Sequence, residues 1–391
     1  MSDTCNLLFE DNLATTELIA KNGYYQVGSK NYVYKINALE EATKTNQPVR
    51  WEFNNQIYKG HDWKKPLGIG LDTLYGMRAQ QLRDQYNYLV LAFSGGGDSY
   101  NVLRSFLDNN IHLDEIICDW PLAQTERQLI TAHADPTNYI SEWDLAIKPL
   151  LKQLAYTHPN IKITVTDSLQ HLSMEDYEDT CTVTQIHNYV SIKRYRHITS
   201  HMRTLQEQHR QAAIILGIEK PGIYIKHNVA CAYFTDTHCW YKSSIKDFQL
   251  NVEYFYWSPA MPEIVSEQAH VLYNYLKQNK AALDLFSINE TISDPAQHRL
   301  LTKSTRNLCR SLLYPKWNSS IFQADKGNSL IYNEQYNWFF SQEKTKEIQS
   351  WESSMHSRLN LVDSKYLDYF VDGRFKGYKP MINRLYPIGT I

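Results

Sequence analysis

The chain has 391 residues, 40 Lys+Arg against 42 Asp+Glu, and a formal net charge of −2. That length predicts two or three packed units, and 43% hydrophobic against 21% charged residues excludes a disordered chain. The charge balance excludes a surface that coats nucleic acid throughout and confines any such contact to a local patch; no apolar run reaches the roughly 18 residues of a membrane span.

In chain order, Tyr24–Val27 reads as a strand, Tyr32–Thr45 as a helix with Ile36, Leu39 and Ala42 at helical spacing, and Val49–Phe53 as a second strand. These make a small N-terminal α+β unit, residues 1–69, closed by the break at Pro66-Leu67-Gly68. A helix over Leu71–Tyr86 leads into Tyr88–Phe93, a continuous apolar run of the kind buried on both faces of a parallel sheet. Helix Ser99–Asn109, strand Glu115–Cys118, helix Ser141–Tyr156, strand Ile161–Val165, helix Gln185–Gln208 and strand Ala212–Leu216 follow. The alternation predicts an α/β fold over residues 70–260, a Rossmann-like parallel sheet with helices on both faces. Tyr224–Trp257 is aromatic and strand-like. Helices over Pro262–Gln278 and Thr302–Leu313 open a mixed, aromatic-rich C-terminal region, 261–391, whose end has no assignable pattern.

The sharpest local signal is Ser94-Gly95-Gly96-Gly97-Asp98-Ser99, set between the apolar strand and its helix. Glycines let successive backbone N–H groups turn toward one point without side chains in the way. The helix that follows aims its positive end at the same point, and Ser94 and Ser99 add hydroxyl donors. The product is a cup for a polyphosphate. Asp98 would repel such an anion unless a divalent cation bridges them, so Asp98 implies Mg²⁺. The loop is neither GxxxxGK[ST] nor GxGxxG.

The pattern SGGxDS after a buried strand resembles the PP-loop, the signature of N-type ATP pyrophosphatases. The resemblance covers about residues 70–275, and the overall layout is similar to that of PP-loop proteins of bacteriophages. It implies an adenine nucleotide alpha hydrolase-like fold, ATP and Mg²⁺ as ligands, and a polyphosphate held by Ser94, Gly95, Gly96, Gly97, Asp98 and Ser99. In that superfamily a fourth strand ends in a glycine followed by charged residues near the nucleotide. Gly217-Ile218-Glu219-Lys220 fits, with Gly217 allowing close backbone approach and Lys220 either reaching a phosphate or remaining a solvated loop lysine. Tyr254-Phe255-Tyr256-Trp257-Ser258-Pro259 resembles the tryptophan-containing stretch of the phosphoadenosine phosphosulfate reductase-like branch. The implied chemistry is adenylylation of a substrate oxygen with release of pyrophosphate, followed by transfer to a nitrogen or sulfur nucleophile, with Asp98 and Lys220 as catalytic residues. The alternatives are a sulfonucleotide reductase, against which the lack of a cysteine near the C-terminus counts, and a non-catalytic adenine-nucleotide-binding module.

The remaining candidates have competing readings. The six cysteines, Cys5, Cys118, Cys181, Cys231, Cys239 and Cys309, contain no CxxC pair for zinc, iron–sulfur or dithiol chemistry. With a polar start that lacks a signal-type apolar run, they predict a reducing, cytoplasmic setting. Asp119, after the second sheet strand, is either a ribose ligand or a helix cap, with Trp120 an adenine cover or a packed ring. Asp167-Ser168 has the same two readings. Along the helix near 193–210, Ile192, Tyr195, Ile198, Met202 and Leu205 form the core face. Lys193, Arg194, Arg196, Arg203 and Arg210 with His197, His201 and His209 form a ridge, either a solvated face or a contact for a nucleotide or nucleic-acid substrate. His227, Cys231, His238 and Cys239 lack a common zinc spacing. Arg310, Lys316 and Lys326, set among Tyr314, Trp317 and Phe322, are candidates for a substrate wall.

Overall fold

The computed structural model describes residues 23–119, 143–167, 196–208, 211–236, 251–288, 305–317, 346–369 and 375–391. Its centre is a parallel sheet of five strands: β4 (Tyr88–Ala92), β5 (Glu115–Asp119), β6 (Lys162–Thr166), β7 (Ala212–Leu216) and β10 (Val252–Tyr254), lying side by side as β10-β7-β4-β5-β6. Every pairing within it is parallel. Numbered by appearance, the order across the sheet is 3-2-1-4-5 read from β6, the doubly wound arrangement. The direction of winding reverses between β4 and β7, which opens a crevice at their carboxyl ends. Both strands are almost wholly apolar, with Leu89, Val90, Leu91, Ala212, Ala213, Ile214 and Ile215 fully buried. That burial on two faces explains why their sequences run apolar without alternation.

The N-terminal strands β1 (Tyr24–Val27), β2 (Lys30–Tyr32) and β3 (Val49–Glu52) form an antiparallel sheet in the order β2-β1-β3. Helix α1 (Lys35–Thr45) lies between β2 and β3 in sequence and ends at Asn46, whose left-handed φ of 53° closes the turn. A short helix, α2 (Asn55–Gly60), precedes α3 (Leu71–Gln85), and α4 (Gly97–Leu107) follows β4 directly. A π-helical turn, Trp143–Ile147, leads into α5 (Lys148–Thr157). The described part of the long helix is α6 (Arg196–Glu207), its expected beginning lying outside the described residues.

After β7 a hairpin of β8 (Gly222–Lys226) and β9 (Val229–Tyr233) is joined by β13 (Tyr386–Thr390), so the C-terminus adds a strand to the middle of the chain. Helices α7 (Glu263–Gln278) and α8 (Lys280–Ile288) follow β10, then α9 (305–313) and α10 (Lys346–Leu359). The pair β11 (Leu367–Tyr369) and β12 (Phe375–Tyr378) supplies regular structure where the sequence pattern offered none. No helix among the described residues is long and apolar enough to cross a membrane.

One hydrophobic cluster runs from Tyr25 to Ile388 and takes residues from all three expected segments. Aromatic rings join them. Phe53 meets Trp257 at 5.6 Å between centroids, Tyr58 meets Phe234 at 4.6 Å, and Trp63 stacks on Tyr386 at 4.7 Å. This packing accounts for much of the aromatic content. A second, smaller cluster sets Ile36 and Leu39 of α1 against Met355, Val362, Leu367 and Tyr378.

Two buried ion pairs fix long-range geometry. Lys35 Nζ lies 2.6 Å from Asp236 Oδ2, with side chains 1% and 0% exposed. Lys35 also donates to the Lys379 carbonyl, and Asp236 accepts from Tyr25 Oη and from the Met381 amide. Burial lowers the Lys35 ammonium below its ordinary pKa, against the pull of Asp236. Arg78 of α3 binds Glu253 of β10 at 2.9 Å and donates to the Tyr254 carbonyl, anchoring the aromatic segment that follows. At the amino end of the sheet, Glu115 accepts from Tyr88, Thr164, Lys162 and His201. His201, expected on the basic ridge, is thus turned to the sheet, while Met202 and Leu205 are buried as the helical spacing predicts.

Removing Asp236 strands a buried ammonium. Asp236→Ala is expected to cost about 3–5 kcal/mol in urea denaturation, and Lys35→Met with Asp236→Leu to recover much of that loss. Burial works to raise the Glu115 carboxyl, but its four donors outweigh it and hold the pKa below the ordinary value. A carboxylate depressed on folding stabilises fully above its unfolded pKa, about 4.3, and loses that contribution as pH falls through the folded value. Glu115→Gln should therefore destabilise at pH 7, with the gap to wild type narrowing below about pH 4 in the same assay.

Candidate functional site

Strand β4 ends at Ala92, and the chain enters α4 through the glycine loop at the β4–β7 crevice. Gly95 has φ +76°, a left-handed conformation that a side chain would strain. Gly96 caps α4, and helix geometry leaves the N–H groups of Gly96, Gly97, Asp98 and Ser99 without carbonyl partners four residues back. The Ser99 hydroxyl donates to the Gly96 carbonyl at 3.1 Å and accepts from the Ser94 amide at 3.2 Å. It therefore shapes the loop, while Ser94, exposed, lies with its Oγ 3.3 Å from that of Ser99.

Gly217, just past β7, explains why the two strand ends meet here. A Cβ on it would lie 3.0 Å from the carbonyl carbon of Asp98 and 3.0 Å from the amide of Ser99. Glycine lets the backbone after β7 press against the first turn of α4. Three residues on, Lys220 Nζ binds Asp98 Oδ1 and Glu219 Oε1. Its side chain is 8% exposed. Burial acts to lower the Lys220 pKa, but Asp98 and Glu219 outweigh it and hold the ammonium above its ordinary value. Lys220 is charged, and the solvated-lysine reading does not describe it.

The C-terminal region supplies the rest. Tyr314 Oη donates to Asp98 Oδ1 at 2.6 Å, and Arg310 Nη2 lies 3.6 Å from Asp98 Oδ2. Tyr256 Oη donates to the Asp98 carbonyl at 2.9 Å and accepts from Asn101 at 3.0 Å. The rings of Tyr256 and Tyr314 stack at 5.6 Å, and Lys220 Nζ sits 5.7 Å from the Tyr314 ring centre. Burial, then the Asp98 carboxylate, pushes the Tyr314 hydroxyl well above its ordinary pKa, so it remains a donor. Arg310, Tyr314 and Trp317 follow one another at i, i+4 and i+7, a single stripe at helical spacing. In the sequence, Arg310 stood out only for its aromatic setting beside Tyr314 and Trp317; Asn101 and the Tyr256 hydroxyl carried no signal.

Of the expected residues, the structure brings together the glycine loop, Asp98, Gly217 and Lys220. Asp119 ends β5 on the same carboxyl edge, one strand from β4, and Trp120 lies outside the described residues. Asp167 follows β6, and Ser168, Lys326, His238 and Cys239 lie outside the described residues. His227 occupies the β8–β9 turn with φ 49°, and Cys231 is buried in β9. No cluster of three or more His, Cys, Asp or Glu suited to a metal occurs among the described residues. Of the ridge, Arg203 is exposed on α6, and Lys193, Arg194, His209 and Arg210 lie outside the described residues.

The charge count of the site is informative. Lys220 and Arg310 carry two positive charges, Asp98 and Glu219 two negative ones, so these four side chains sum to zero. Among the described residues, these four leave the start of α4 with oriented amides and no net side-chain charge. Cys309, beside these groups, has its thiol pushed up to about 11 by burial. It is protonated at neutral pH and a poor nucleophile.

Compared with protein-family models, with curated proteins and with solved structures, the chain matches none.

The close approach at Gly217 makes a direct prediction. Gly217→Ala must push α4 and the end of β7 apart, because backbone rather than a mobile side chain blocks the methyl group. The expected loss is about 1–3 kcal/mol of stability, read as a lower midpoint in urea denaturation; an unchanged midpoint would show that the two strand ends can part without cost.

Proposed function

We propose that the chain is an ATP-dependent enzyme of the PP-loop class with an adenine nucleotide alpha hydrolase-like core. The observation that carries this reading is the meeting of Ser94–Ser99 with Gly217 and Lys220 at the reversal point of the sheet, where doubly wound folds bind ligands. The β- and γ-phosphates of ATP would lie against the open N–H groups at the start of α4, with Lys220 as their cation.

Mg²⁺ fits the chemistry of these residues. Two carboxylates, Asp98 and Glu219, lie on Lys220 beside the glycine loop, and Mg²⁺ is ordinarily held by one or two carboxylates together with substrate phosphates. The zero side-chain charge gives a reason for a cation to arrive with the nucleotide. When bound, it would neutralise phosphate charge. Asp98 would hold it, Lys220 and the α4 amides would stabilise charge on departing pyrophosphate, and Tyr256 and Tyr314 would keep Asp98 in place.

The reaction is attack of a substrate oxygen on the α-phosphorus, breaking the bond to the β-phosphate bridge, with pyrophosphate leaving. A nitrogen or sulfur nucleophile then displaces AMP. For the acceptor we favour a nucleobase or free nucleotide, with the Trp317 ring and the Arg310 guanidinium beside the glycine loop as the aromatic and cationic surface for it. Cys309, with its protonated thiol, offers little to a reductase.

Pyrophosphate release from Mg²⁺-ATP across nucleotide and nucleic-acid acceptors tests the proposal. Wild type should release pyrophosphate with an acceptor, and Asp98→Ala should lower the rate by about 10²–10³-fold. Binding of ATP without release under any acceptor would favour a nucleotide-binding module. A thiol-dependent activity without pyrophosphate would favour a reductase.

A further inference from the structure

Each oxygen of the Asp98 carboxylate faces a cation from a different part of the chain: Lys220, after β7, at Oδ1, and Arg310, on α9, at 3.6 Å from Oδ2. Tyr314 adds a third donor. The Arg310 guanidinium lies 5.9 Å from the centre of the Trp317 ring. A Cβ on Gly97 would come within 3.3 Å of Arg310 Cδ and 2.8 Å of Trp317 Nε1, so both side chains rest against the glycine loop itself. Trp317 Nε1 is buried and has no hydrogen-bond partner among the described residues. An arginine, a lysine, a phenol and an indole N–H thus converge at the lip of the cup, and the anion among them belongs to the protein.

We infer that Arg310 is a second phosphate-binding cation of this pocket, and that the Asp98 carboxylate is a resident anion that positions Arg310 and Lys220 until a ligand phosphoryl group takes both. The inference rests on the polyphosphate reading of the glycine loop. Its logic is one of exchange. A phosphoryl oxygen accepts the same charge-assisted hydrogen bonds as a carboxylate oxygen, and a guanidinium suits either. On ligand entry the two cations transfer to phosphate, and Asp98 is left beside a polyanion. Without a divalent cation Asp98 then competes with the ligand. With Mg²⁺ it becomes a ligand to the metal. One residue therefore reverses its effect with the ion present, which couples anion affinity to magnesium. The C-terminal region becomes part of the phosphate site through Arg310 and Trp317.

Calorimetric titration of the full chain with inorganic pyrophosphate, in EDTA and in Mg²⁺, tests this. In EDTA, Asp98→Asn should bind pyrophosphate about tenfold more tightly than wild type, because an amide releases the cations more readily than a carboxylate. In Mg²⁺ that variant should lose the gain in affinity that the metal gives wild type. Arg310→Ala should weaken pyrophosphate binding about 10- to 100-fold in both buffers, with Arg310→Lys intermediate. Thermal unfolding checks that each variant is folded. Arg310→Ala leaves Lys220 and Tyr314 on Asp98, so it reports even if Asp98→Asn does not fold. Wild type that binds Mg²⁺-ATP, together with an Asp98→Asn variant that binds pyrophosphate no better in EDTA, overturns the resident-anion role and leaves the ATP reading standing. Full affinity in Arg310→Ala overturns the role of Arg310 in the same way. Wild type that binds neither Mg²⁺-ATP nor pyrophosphate overturns both readings.

Discussion

The backbone after β7 lies so close to the first turn of α4 that one methyl group on Gly217 would press on the backbone of Asp98 and Ser99. This approach depends on the parallel pairing of β4 with β7, from Tyr88 against Ala212 to Ala92 against Leu216. With the registers matched, the two strands end together and their loops leave at the same height. The glycine loop then receives Lys220 from its neighbour without a long excursion of either chain. The aromatic segment after β10 is held by the same means: the Phe255 amide bonds to the Leu216 carbonyl, and Arg78 grips Glu253 and the Tyr254 carbonyl. Tyr256 is thereby delivered to the Asp98 carbonyl.

The legible part of the fold was the part written in local patterns. Tyr88–Phe93 and Ala212–Leu216 could be read as buried parallel strands because burial on both faces removes the need for polar alternation. The glycine loop was legible because its position between strand and helix and its chemistry agree. Asp98 lies in that loop, and Lys220 was named only through the resemblance to a superfamily whose fourth strand ends in a glycine followed by charged residues; the structure sets the two in contact. What the sequence withheld is long-range. Tyr314 reaches Asp98 across 216 residues, and Tyr256 reaches a backbone carbonyl that no side-chain pattern advertises. Arg310 was visible only as a cation among aromatic residues, and composition cannot say which surface they cover. His201 illustrates the reverse error: a histidine among arginines reads as part of a ridge, yet its partner is a carboxylate buried at the sheet.

Proximity along the chain also concealed how the termini are used. The N-terminal unit is distinct by sequence, yet Phe53 and Tyr58 share aromatic contacts with Trp257 and Phe234, and β13 pairs with β9. Lys35, Asp236 and the backbone at Lys379 and Met381 meet in one buried cluster. An ion pair so deeply buried gains little over an apolar pair of the same shape. Its value lies in direction. The pair ties Lys35 of the first segment to Asp236 of the middle one, and the Lys379 carbonyl and Met381 amide bring in the last.

The same economy of charge governs the site. Four ionised side chains, summing to zero, meet beside the glycine loop, with Lys220 between two carboxylates and Arg310 3.6 Å from one of them. The two carboxylates offset the cost of burying Lys220, the least exposed of the four. The cluster is also poorly attractive to a bare anion, since any phosphate must displace a carboxylate to reach Lys220. The amides at the start of α4 add only the partial charge of a helix end, about half an elementary charge. A divalent cation changes both terms at once: it offsets phosphate charge and gives Asp98 a new partner. On the proposed function, the charge balance among these side chains would therefore make polyphosphate binding conditional on metal.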